Sequence, residues 1–147
     1  MALIADNPSD RAQQMLALTE RLTETIARET ELMRARQPLP EGEGAEEKQR
    51  LVNAYRLEMA RIRDDRGLIA EAPDALRARL RAATVSLQDA LAAHEAALGA
   101  LKALTEGLVQ AMAEEVARLR AGGGSYGASG AMTGTSGPTP VALNETA

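Results

Sequence analysis

Cysteine, phenylalanine and tryptophan are absent from the 147 residues, and tyrosine occurs only at Tyr55 and Tyr126. Without cysteine there can be neither a disulfide framework nor a thiolate metal site. Without large aromatic rings, a globular core lacks the side chains that usually supply much of its buried area. Histidine occurs once, as His94. It sits in an apolar seam with Ala90, Ala97 and Leu98, and no second ligand stands three or four residues away, so no metal or other cofactor is expected. Basic excess is missing too. The formal charge is -4 and the arginines are interspersed with acids, which argues against a nucleic-acid partner. The opening "MALIADNPSD" has neither a basic region nor an apolar run of signal-peptide length, and no stretch approaches a membrane span. A soluble, cytoplasmic protein without membrane insertion is expected, and the sequon at Asn144 is then without consequence.

What is present is alanine, leucine, glutamate and arginine, the composition of long helices and coiled coils. The fold class expected is all-α: an antiparallel helical hairpin or three-helix coiled-coil-like bundle with a long third helix and a disordered C-terminal tail. Residues 1–121 form the helical domain, with helices at about 8–36, 46–70 and 73–121, and residues 122–147 form the tail.

Asn7 can cap the first helix with Pro8 at its first position, where a missing N–H costs nothing. Met15, Leu18, Leu22 and Ile26 share one face, and Pro38 stops the helix. "QPLPEGEG" is a loop. The second helix restarts near Glu46 and carries Val52, Tyr55, Met59, Ile62, Arg66 and Ile69 in steps of three and four, a period that calls for a partner helix. Gly67 weakens its end. Pro73 favours a new helix over a continuation, a single helix kinked there being the alternative. From Pro73 to about Ala121 no turn signal intervenes, and Gly122 is the natural stop. The Gly-, Ser- and Thr-rich remainder with its single charge, Glu145, reads as a flexible tail. No Gly-Lys-Ser/Thr follows its glycines, so it is not a phosphate loop.

At 1.5 Å per residue the first two helices span roughly 40 Å each and the third roughly 70 Å. In a hairpin, helix three lies beside helix two to about Leu101 and then runs on uncovered. The overhang "LTEGLVQAMAEEVARL" carries Leu104, Leu108, Met112, Val116 and Leu119 on one face. Aligned apolar side chains left in water usually mark an interaction site. A partner's amphipathic helix is the simplest cover, and self-association the next. The competing reading is that helix one or two folds back differently, or that helix three bends, so that the stripe is internal core.

No arrangement suggests an enzyme. The pairs Glu46-Glu47, Asp64-Asp65 and Glu114-Glu115 are adjacent and splay around a helix instead of converging on a substrate. Arg77, Arg79 and Arg81 form a loose basic patch at the start of helix three, which reads as a solvated face with an acidic partner as the alternative.

"EEKQRLVNAY", opening the second helix, and "LTEGLVQAMAEEVARL", followed by "SYGASG", resemble FlgN-type flagellar export chaperones, particularly the alphaproteobacterial form. The resemblance spans residues from about 10 to 130. It implies a cytoplasmic chaperone that binds the C-terminal helical segment of hook-associated proteins and delivers them to the type III export apparatus. By the same resemblance Leu101, Leu104, Leu108, Met112, Val116 and Leu119 would receive the cargo helix, and Tyr126 would contact the export gate. A self-associating coiled-coil or adaptor protein is the alternative function.

Overall fold

A computed structural model describes residues 3–123. They form four helices, α1 (Pro8–Arg34), α2 (Glu43–Asp64), α3 (Gly67–Ala70) and α4 (Asp74–Gly123), and no strand occurs among the described residues. The chain divides into two units, Met1–Glu106 and Gly107–Ala147, so the boundary falls inside α4. The all-α expectation holds. The tail expected at 122–147 lies outside the described residues from 124 onward.

The helix ends follow local chemistry. Asn7 is extended, and its Oδ1 accepts the Asp10 N–H at 2.9 Å with Pro8 in the first turn, satisfying one of the helix's orphan donors. The Asp10 carboxyl is held below its ordinary range by hydrogen bonds from Gln14 and from the Asp6 N–H. α1 stops at Arg34, two residues earlier than expected. Arg36 takes a left-handed backbone with φ 55°, the Arg36 N–H bonds to the Met33 carbonyl, and the Gln37 N–H bonds to that of Leu32. That is a Schellman cap with arginine where glycine is usual.

α2 starts at Glu43, three residues before the expected position, because Gly42 (φ 57°) supplies the turn that other residues adopt reluctantly. It ends at Asp64, well short of residue 70. Asp65 is extended, and its Oδ1 accepts the Gly67 N–H at 2.9 Å, a local bond that competes with helical continuation. A single turn, α3, follows before Pro73, so α2 and α4 are separate helices and the kinked alternative is not formed. Gly122, expected as the stop of the long helix, lies within α4. Gly42 is the only described glycine with positive φ, so Gly122 has no left-handed cap geometry.

Contacts within the first unit set the helix directions. Arg11 pairs with Glu58 at 2.7 Å and Lys48 with Glu29 at 2.8 Å, so α1 and α2 are antiparallel. Leu80 clusters with Met15 and Leu16, Leu87 with Leu22, Ile26 and Leu51, and His94 Nδ1 lies 3.3 Å from Thr30 Oγ1. Residue numbers rise together along both helices, so the start of α4 runs parallel to α1. The long helix thus lies against both companions, not beside the second alone. The three form a bundle whose core joins these leucines and Met15 to half-buried Tyr55, Ile62 and Ile69. Burial pushes the Tyr55 phenol above its ordinary range.

The buried face of α2 is turned from the heptad expected. Leu51 and Glu58 are buried, Val52, Tyr55 and Ile62 are half-buried, and Met59 is exposed. Arg66 lies beyond the helix end and is exposed. The inward Glu58 accounts for the rotation. It is 0 % exposed and accepts from Arg11 at 2.7 Å, from Arg61 at 3.1 Å and from the Leu3 N–H at 3.1 Å. A buried carboxylate is tolerated only when so partnered, and meeting those donors orients the helix.

Candidate functional site

The last described part of α4 is apolar on one face and wet all around. Within the second unit Leu108, Val109, Met112 and Leu119 are each about 60 % exposed and Val116 46 %. Every residue from Lys102 to Gly122 is exposed. In the first unit Leu104 is also exposed and Leu101 half-buried. Fully burying a leucine or methionine contributes about 1.5 to 3 kcal/mol, so this helix holds a large unrealised stabilisation. Its polar side is self-satisfied. Arg118 makes two bonds to Glu115, at 2.9 and 2.7 Å, and Gln110 bonds to Glu114 at 2.7 Å.

Leu108, Met112, Val116 and Leu119 lie in one stripe by their spacing of three and four, and Val109 widens it. Val109 escaped the sequence reading because a strict three-four count skips the residue next to Leu108, although a helical apolar face is broader than a heptad seam. Tyr126 lies outside the described residues.

A second surface belongs to the first unit. A groove of about 920 Å³ opens among the end of α2, α3 and the start of α4. Its floor and walls are Met15, Met59, Ile62, Ile69, Leu80 and Val85, and Arg63, Arg66, Arg77 and Arg81 line it with no carboxylate among its residues. Of the basic patch read at 77, 79 and 81, Arg79 turns instead toward Glu20, 3.9 Å away. Arg63 and Arg66 join the patch only through the fold.

His94 is half-buried and bonded to Thr30. The Thr30 hydroxyl donates to the Ile26 carbonyl at 2.8 Å, which leaves its oxygen as acceptor and places the hydrogen on His94 Nδ1. Among the described residues no group of three histidine, aspartate or glutamate side chains is arranged to hold a metal ion, and no helix is long and apolar enough to cross a membrane.

Comparison with known proteins finds a flagellar relative. Over 131 residues, 88 % of this chain and 88 % of the relative, the sequence is 41 % identical to the flagellar basal-body protein FlbY of Caulobacter vibrioides (strain ATCC 19089 / CIP 103742 / CB 15). No family model matches the chain, and no solved structure matches it.

Proposed function

Because the chain belongs to the family of the flagellar basal-body protein FlbY, we propose that it serves flagellar assembly as an export chaperone of the FlgN type. In this reading it works in the cytoplasm without cofactor or catalysis. It binds an amphipathic helix of hook-associated proteins and delivers them to the type III export apparatus. The observation that carries the proposal is the exposed stripe of Leu108, Met112, Val116 and Leu119, which suits helix-in-groove recognition through apolar anchors at helical spacing.

The test is Leu108→Asp. Leu108 is exposed, so the substitution should change stability by no more than about 0.5 kcal/mol. Capture of a hook-associated C-terminal segment should nevertheless be lost while circular dichroism stays helical. Normal capture by this variant overturns the assignment of the face. Tyr126 is the proposed contact with the export gate. Tyr126→Ala should leave capture intact and lower export of the cargo in cells, and unchanged export removes the tyrosine from the mechanism.

A self-associating coiled-coil scaffold is the second reading, favoured by the same uncovered stripe. Sedimentation velocity separates the two: a monomer in the absence of cargo supports the chaperone, and a stable dimer abolished by Leu108→Asp supports the scaffold.

A further inference from the structure

We propose that the arginine-lined groove of the first unit is a separate docking site, and that its occupant is an amphipathic helix of a partner protein whose apolar face is bordered by carboxylates. The inference goes beyond the chaperone reading and does not rest on the stripe of the second unit.

Charge carries the argument. Nine arginines of this chain have a carboxylate within 4.0 Å, as expected where acids and bases alternate along helices. Six have none among the described residues, Arg36, Arg56, Arg63, Arg66, Arg81 and Arg120, and three of these, Arg63, Arg66 and Arg81, line one groove together with Arg77. Arg77 pairs with Asp74 by one guanidinium nitrogen, and its buried Nε has no hydrogen-bond partner. Four guanidinium groups around a cleft with no carboxylate in its lining repel one another, and a ligand that brings carboxylates relieves that repulsion. Arginine can also bind each carboxylate through two parallel N–H bonds, which fixes the orientation of the ligand.

The shape selects a helix over a bilayer. The apolar side chains open to water, Met59 at 38 % and Val85 at 55 % exposed, flank a floor of buried Met15 and Leu80, between walls contributed by α2, α3 and α4. A planar lipid surface is met by protruding apolar side chains, whereas a cleft between helices receives a ridge of leucines from another helix. The arginines then stand where the borders of such a ridge would carry its charges.

The experiment is fluorescence anisotropy with the full chain and two labelled peptides of about five helical turns. Both carry leucine at helical spacing. One has glutamate along both borders of the leucine face, and the other has lysine at the same positions. The glutamate peptide should bind saturably and at least about tenfold more tightly than the lysine peptide, and Arg63→Glu/Arg81→Glu should weaken it at least about tenfold. The measurements are made on the full chain carrying Leu108→Asp, which disables the stripe of the second unit, so that binding is read at the groove alone. Should the double charge reversal disturb the circular dichroism, Arg63→Gln/Arg81→Gln gives the same reading with less perturbation. Equal binding of the two peptides by that chain, or retention of binding when the folded double variant is added to it, overturns the proposal. So does a concentration-dependent dimer dissolved by the double variant, which assigns the groove to a second copy. Binding to phosphatidylglycerol vesicles that the double variant abolishes, with no peptide binding, assigns it to a lipid surface.

Discussion

Arg36 occupies a backbone position that glycine normally fills. At φ 55° its Cβ crowds the following carbonyl, at a cost of roughly 1 kcal/mol relative to glycine. Nothing in its contacts compensates, since the side chain is exposed and forms no ion pair among the described residues. Arg36→Gly should therefore stabilise the protein by about 1 kcal/mol, read as a higher midpoint in thermal or urea unfolding. No change would mean that the glycine's extra freedom in the unfolded chain offsets the relief. Glu29 and Thr19 illustrate the opposite case, polar side chains inside the bundle that are fully answered. The Glu29 carboxylate, 3 % exposed, receives Lys48 at 2.8 Å, and the Thr19 hydroxyl donates to the Met15 carbonyl at 2.7 Å.

Between elements, the strongest specific tie is Glu58 of α2, held by Arg11 of α1, by Arg61 and by the Leu3 N–H. Leucine seams alone tolerate sliding by a turn, because one apolar side chain resembles the next. A buried carboxylate with three donors has one satisfactory register. Glu58→Ala should cost about 2 to 3 kcal/mol, toward the low side for a broken buried pair because the Arg61 side chain is 42 % exposed and can return to water. Removing Arg11 as well should cost less than the sum of the two single changes. Strict additivity in that double-mutant cycle would show that the pair contributes nothing to the register. The α2–α4 connection follows a similar logic, in that Asp65 and Gly67 end the second helix before Pro73 can kink it.

For the whole molecule, burial is uneven along the chain. The buried side chains lie between Ala12 and Leu87, and residues from Lys102 to Gly122 are exposed without exception. Local opening is least costly where few apolar contacts must break. Amide hydrogen exchange should therefore be slowest around Leu22, Leu51 and Leu87 and faster from Lys102 onward, with protection of the latter stretch rising when a partner helix is added. Uniform protection along α4 in the free protein would contradict this.

Helix content was legible in composition and period alone: no cysteine, almost no aromatics, a capped start at Asn7-Pro8, and leucines at three and four as far as Leu119. Those signals are local, because capping, proline geometry and amphipathic spacing act within a turn or two of the chain. The stripe from Leu104 to Leu119 could be listed from sequence, but its exposure could not, since covering it depends on where distant helices end. The rotation of α2 onto Leu51 and Glu58 was equally hidden, because a charged residue inside a seam reads as surface until its donors are found 47 positions away at Arg11. The gathering of Arg63 and Arg66 with Arg77 and Arg81 belongs to tertiary structure as well. Only the reversal between α2 and α4 brings those side chains to one cleft, and electrostatic repulsion acts through space and not along the chain.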